Sequence, residues 1–328
     1  MGGRTISVQF VRVALDMARA GGHDTLLPLA LAGIPAELLD QDAARVTETQ
    51  AARLVQALWD STGDEVLGVG PKPVPRGTFA MMTLGVIHTP DLAEALRRLV
   101  EFARIGLGFD ATLAVADGTV TLTLDSAEQH QAVAAVFLAV VHRFSGWLVG
   151  RHLELTAVQL PGPTPAGSAE YRDVYGVAPR FGCAAAALTF DAHQLRARVI
   201  QNESTLGELI RDSPSALLFR QHYRPSAASQ VRRILDHSAA PSLVSLEAAA
   251  RLLNVSDQHL RRLLRDEGSS FRQIKEDVLR DDAVASLAGG IETVDALSDR
   301  LGFSEPSAFR RAFRRWTGSP PSAYRPKT

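Results

Sequence analysis

Two periods of hydrophobic spacing organise the chain. In Thr47–Trp59 apolar residues fall at Ala51, Leu54, Val55 and Leu58, the three-and-four spacing of a helix with one buried face. Leu92–Phe102 repeats it with Leu92, Ala95, Leu96, Leu99 and Val100, behind the start signal Pro90-Asp91. Between Ala111 and Leu124 the period drops to two. Leu113 and Val115, then Val120, Leu122 and Leu124, alternate with small or polar residues. Asp117-Gly118 separates the halves and suits a type I′ turn, in which both central residues need positive φ. Gln131–Leu148 is apolar on most faces and predicts a buried helix. Leu153–Leu160 alternates again and ends at Pro161-Gly162-Pro163-Thr164-Pro165, a loop. Phe181 and Ala187–Phe190 predict further short strands, and Thr205–Tyr223 a helix. Beyond Ser229 the spacing is helical throughout. The pattern predicts an α+β N-terminal domain with a small antiparallel or mixed sheet over residues 1–223. A linker follows at 224–229, around Pro225-Ser226-Ala227-Ala228-Ser229, and then an all-α domain at 230–328.

Composition narrows the classes. A chain of 328 residues exceeds what one hydrophobic core usually spans. Its single cysteine, Cys183, excludes an internal disulfide framework and a thiolate-only zinc site, and it reads as a buried small residue. The longest apolar run, Ala132 to Val141, is half the length of about 20 residues that spans a bilayer. No basic segment followed by an apolar stretch opens the chain, so a cytoplasmic protein without membrane partners is expected. Ser145-Gly146 lacks the spacing of a hydrolase elbow. Leu67-Gly68-Val69-Gly70-Pro71-Lys72 lacks that of a phosphate loop. His142 and His152 read as surface or capping residues. No catalytic cluster, metal site or cofactor is expected.

Charge is unevenly placed. Ala228–Thr328 holds 16 basic and 13 acidic residues, leaving 19 and 23 for the rest. Arg300–Thr328 is more extreme, with seven basic residues against Glu305 alone. A basic C-terminal module on a slightly acidic body is the footprint of a polyanion partner.

Within that module a short pattern occurs twice. Ser245 to Leu253 and Ser256 to Arg265 each open on a serine able to cap a helix. Asn254 stands between them, where a left-handed residue is needed. Leu252, Leu253, Leu260, Leu263 and Leu264 supply the packing of a helix-turn-helix. Forty-eight residues on, Val294–Leu301 supplies the first helix, Gly302 the turn, and Ser304 or Glu305 the cap. Pro306 falls at the first turn, where a missing N–H costs nothing. Phe309, Phe313 and Trp316 form the core stripe, with Phe303 behind. The two units thus cover 245–266 and 293–316. Phe271–Leu287 joins them as a connecting helix of 17 residues, about 25 Å long. Adding helix widths brings two recognition helices toward the ~34 Å of one DNA turn. Gln258, Arg261, Arg262 and Arg265 are then the exposed positions of the first recognition helix. Ser307, Arg310, Arg311, Arg314 and Arg315 are those of the second. A guanidinium can bridge guanine O6 and N7, and others on the same face would meet phosphate.

The stretch from Leu301-Gly302-Phe303-Ser304-Glu305-Pro306 to Ser322-Ala323-Tyr324-Arg325 resembles the C-terminal signature of the AraC/XylS family of transcription regulators. The likeness covers about 229–326. It implies base contacts at Gln258, Arg261 and Arg262, and at Pro306, Ser307, Arg310 and Arg311. Three positions depart from the family pattern. Pro306 replaces a polar residue and can offer only apolar contact, Leu279 stands where many relatives carry Arg, and Asn254 replaces Gly. The N-terminal half is similar to an arabinose-binding-like effector domain. That likeness runs through Arg45-Val46-Thr47, Gly77-Thr78-Phe79-Ala80, Thr89 to Leu96, and Tyr171-Arg172 to Gly182. It implies control by a small-molecule effector, homodimerisation, and action on promoter DNA and RNA polymerase as an activator. The alternative is an effector-independent regulator whose N-terminal domain only dimerises.

Overall fold

A computed structural model describes residues 5–125, 131–165, 168, 171–214, 217, 227–238 and 241–326. In chain order it forms β1 (Thr5–Ser7), α1 (Val8–Ala20), α2 (Leu26–Leu31), β2 (Arg45–Thr47), α3 (Glu48–Thr62), α4 (Thr78–Val86) and α5 (Leu92–Phe102). Then come β3 (Ala111–Ala116), β4 (Thr119–Leu124), α6 (Gln131–Leu148), β5 (Leu155–Gln159), α7 (Tyr171–Tyr175), β6 (Ala186–Asp191) and α8 (Glu203–Arg211). The C-terminal helices are α9 (Ala227–Asp236), α10 (Leu246–Leu252), α11 (Asp257–Asp266), α12 (Phe271–Gly289), α13 (Val294–Arg300) and α14 (Pro306–Thr317). These elements fall into two compact units that cut across chain order. One comprises described residues from Met1–Phe10, Gly33–Ala51 and Arg224–Thr328; the other comprises those from Val11–Ala32 and Ala52–Tyr223.

The second of these units is built on a sheet of order β3-β4-β6-β5, with every strand pair antiparallel. Asp117 and Gly118 turn β3 into β4 with φ of 50° and 73°, as the dipeptide predicts. Val120, Leu122 and Leu124 point into the core, while the threonines between them stay half-exposed. Phe181 joins no strand. The chain beside it makes only an isolated parallel bridge, Arg180 to Gln159, so the strand expected there is absent. Asp91 caps α5 by accepting the Glu94 N–H at 3.0 Å, and Leu92, Ala95, Leu96 and Leu99 form its buried face.

The α6 helix is buried on most of its circumference, which places His142 in the core at 4% exposure. The surface or capping role expected of it is therefore wrong. Its Nε2 lies 2.8 Å from the Leu153 carbonyl oxygen and must donate to it. Burial holds its pKa down to about 4, so the ring is neutral. Cys183 is half-buried rather than buried. The predicted helix at Thr205–Tyr223 begins with α8 at Glu203 and ends at Arg211, and most of its remainder lies outside the described residues.

In the other unit α9 starts at Ala227, so Ala227, Ala228 and Ser229 are helical rather than linker. The cause is Glu267, whose carboxylate accepts the Ala227 and Ala228 N–H groups at 2.8 and 2.9 Å. Residues 224–226 lie outside the described residues. Val231 and Leu235 of α9 share one core with Ala249, Ala250, Leu260, Leu264, Ile274 and Val278. The strands β1 and β2 pair in antiparallel register, Ile6 opposite Val46, and lie against α12. Neither strand is apparent from periodicity, since three residues are too few to show a period. Among the described residues no helix is long and apolar enough to cross a membrane.

Candidate nucleic-acid interface

Each helix-turn-helix is assembled by the same local chemistry. Ser245 caps α10, its Oγ accepting the Ala248 N–H at 3.1 Å, and Ser256 caps α11 by accepting the His259 N–H at 3.2 Å. Thr293 does the same for α13, accepting the Ala296 N–H at 3.1 Å. The fourth helix starts differently. Glu305 is its cap position without a side-chain cap bond, and Pro306 occupies the first turn. Asn254 and Gly302 turn the chain between helices with φ of 55° and 78°.

The connecting helix α12 has 19 residues, about 28 Å. It is clamped to both units. Lys275 donates to the Val244 carbonyl at 2.9 Å, just ahead of α10. Arg300 of α13 reaches Asp282 of α12 at 2.6 Å and Glu292 at 2.7 Å. Behind α14, Phe303 meets Phe309 and Trp316 edge-on, and Phe313 meets Tyr324.

Gln258, Arg261, Arg262 and Arg265 are exposed on α11, as are Ser307, Arg310, Arg311, Arg314 and Arg315 on α14, and Pro306 is half-exposed. Arg261 rests 3.5 Å from Glu247 on α10 and 3.4 Å from Asp257. Arg310 rests 3.1 Å from Asp295 on α13. Glu247 and Asp295 stand two residues past Ser245 and Thr293, the equivalent caps of the two units. Each first helix therefore hands a carboxylate to an arginine of its recognition helix. Periodicity gave no hint of this, although the 48-residue offset would have pointed to it. Arg262 donates to His259 Nδ1 at 3.1 Å, Ser307 to Glu305 at 2.9 Å, and Arg315 lies 3.8 Å from Glu276. Among the described residues Arg262, Arg265, Arg311 and Arg314 have no carboxylate partner. Exposed pairs of this kind are worth about 0.2–1 kcal/mol each. That is weak enough for a phosphate or a guanine edge to displace the carboxylate, while the arginine stays extended toward solvent. Among the described residues no cluster of three His, Cys, Asp or Glu could hold a metal.

Two helix-turn-helix pairs on either side of one connecting helix, each exposing guanidinium groups on its second helix, define a protein of the helix-turn-helix DNA-binding class. Residues 249–327 match the model of a helix-turn-helix domain, and residues 22–199 match that of the arabinose-binding domain of AraC transcription regulators, N-terminal. The chain belongs to the AraC family of transcription regulators, and its matched domains are those of regulators, not of enzymes. It is 28% identical to the ornithine utilization regulator of Pseudomonas aeruginosa, over 98% of this chain and 96% of that one. To the HTH-type transcriptional regulator VqsM of the same organism it is 42% identical over 26% of this chain and 25% of that one. The crystal structure of the regulator CdpR from Pseudomonas aeruginosa, 20% identical, aligns over 96% of this chain and 97% of that one with a TM-score of 0.32.

Proposed function

We propose that this DNA-binding transcription regulator reads a bipartite promoter site with α11 and α14, under the control of a small molecule held by the sheet-containing unit. Gln258, Arg261 and Arg262 contact bases in one subsite, and Pro306, Ser307, Arg310 and Arg311 contact bases in the other, with Arg265 and Arg314 on phosphates. The observation that carries the reading is the matched pairing of Arg261 with Glu247 and of Arg310 with Asp295 on two equivalently built units. It presents one arginine per recognition helix in the same local setting, as reading two successive major grooves requires.

Effector control is supported by the family of the N-terminal half, and the full-length relative named for ornithine utilization makes ornithine the first probe. A ligand acts here only through unequal affinity for two arrangements of the protein. The protein is expected to act as an activator, to form a homodimer and to work with RNA polymerase at cytoplasmic promoters. Selection of bound duplexes by the purified chain, with and without ornithine, tests both halves of the reading. A bipartite motif whose enrichment changes with ornithine supports them. A motif unaffected by ornithine favours the effector-independent alternative, in which the N-terminal half only dimerises.

A further inference from the structure

The segment Arg45-Val46-Thr47 lies inside the stretch that matches the arabinose-binding domain, yet it folds with the DNA-binding unit. Its contacts there are specific. Arg45 donates from Nε to the Thr5 hydroxyl at 2.7 Å and from Nη2 to the Thr5 carbonyl at 2.9 Å. The same guanidinium stands 3.9 Å from Asp281 in the middle of α12, and Thr5 hydrogen-bonds to that carboxylate. Asp281 is 3% exposed and also binds Arg232 of α9 at 2.5 Å and Arg280 at 3.2 Å. Asp236 and Asp277 face those two arginines, at 3.6 and 2.8 Å, so the cluster alternates in sign. Burial pushes the Asp281 carboxyl up, but Arg280, Arg232 and Arg45 outweigh it and keep the group ionised.

The node connects to the backs of both recognition helices. Arg232 lies beside Val231 and within three residues of Leu235, which share a core with Leu260 and Leu264 of α11. On the other side, the Arg45 backbone N–H donates to the Tyr324 hydroxyl at 3.1 Å. The Tyr324 ring stands edge-on to Phe313 of α14 with centroids 5.1 Å apart. One residue therefore ties α9, which backs the first reader, to the turn that backs the second. It forms a strut alongside α12. Beside it, the two halves are joined by α12 with its end clamps and by the close approach of Ser242 to Gly302.

We propose that Arg45 and Thr5 are positioning residues for DNA reading, which set the separation of α11 and α14 and so the subsite spacing that the protein accepts. Neither residue touches DNA in this proposal; both act through Asp281 and Tyr324. If the ribbon of β1 and β2 merely covered apolar surface, its polar contacts would matter for stability and not for spacing.

The test presents full-length wild type and Arg45→Met with a pool of random-sequence duplexes and reads the enriched motifs. Methionine keeps the stem and removes the guanidinium fork. The expected result is the same two submotifs, with the preference for one spacing over its neighbour reduced about tenfold, the ratio set by a coupling of about 1.4 kcal/mol. Because the readout is a ratio within one sample, partial unfolding leaves it unchanged. An unaltered spacing preference overturns the proposal. Should Arg45→Met enrich no motif, Thr5→Val decides, because it deletes one hydroxyl and keeps the ion pairs. A spacing profile broadened by about threefold supports the strut, and a wild-type profile overturns it.

Discussion

Around Asn254 the first helix-turn-helix packs on alanine and leucine, whereas around Gly302 the second packs on phenylalanine and tryptophan. Leu260 and Leu264 of α11 rest on Ala249 and Ala250, with Leu253, Val255 and Leu263 at the margin. Phe309 and Phe313 of α14 are fully buried among aromatic rings. The clamps differ as well, one lysine to one carbonyl against an arginine shared by two carboxylates. Both units nevertheless present an arginine held by a carboxylate of the preceding helix. The exposed arginine face and its foundation are therefore separable. The arrangement of caps and turn recurs, while the mass behind it varies, and the second unit is the more firmly anchored.

The largest test of that contrast removes the foundation itself. Phe309→Ala is expected to destabilise the DNA-binding unit by about 3–5 kcal/mol, and Leu260→Ala by about 2–5 kcal/mol with the smaller loss of the two. Urea unfolding followed by Trp316 fluorescence, with Trp59 and Trp147 replaced by Phe, measures both. Equal losses would show that the aromatic rings add nothing beyond a leucine core.

Next in size are the reading groups. Arg310→Ala is expected to weaken specific duplex binding by about 1–3 kcal/mol and to relax one base position, and Arg261→Ala to do the same in the other subsite. Titrations against the selected site and its single-base variants separate base from phosphate contacts. A uniform loss over all sequences would assign Arg310 to the backbone and break the symmetry between the units.

The turns sharpen the comparison further. A Cβ at Gly302 would come 2.6 Å from the Ser242 Oγ, and the backbone there has φ of 78°. Gly302→Ala is expected to cost about 2 kcal/mol, the left-handed penalty together with the shift of Ser242. Asn254→Ala should cost only about 0.5–1 kcal/mol, because asparagine already carries most of the strain. Melting curves of the two variants check the order. A larger loss at Asn254 would mean that its side chain, and not its backbone, holds the first turn.

Several features were legible along the chain because their causes are local. The Asp117-Gly118 hairpin, the Ser245 and Ser256 caps, the left-handed Asn254 and Gly302 and the limits of α5 and α6 each depend on residues a few positions apart. The paired repeat of helix-turn-helix units was legible for the same reason, as was family membership through the stretch from Leu301 to Arg325. The burial of His142 is not legible locally, because it depends on what the rest of the domain brings to α6. The start of α9 is not legible locally either, because Glu267, 40 residues downstream, supplies its cap.

The order of side chains thus settled the periods, caps and turns, and with them helices α11 and α14 and their exposed arginines. Folding in three dimensions settled which carboxylates hold those arginines. It also settled that Thr5 and Arg45 belong with Asp281, more than 230 residues away. Helix signals arise within one or two turns of chain, so sequence carries them. A buried ion cluster draws its members from segments that only the packed core brings within 4 Å, and no spacing rule records that encounter.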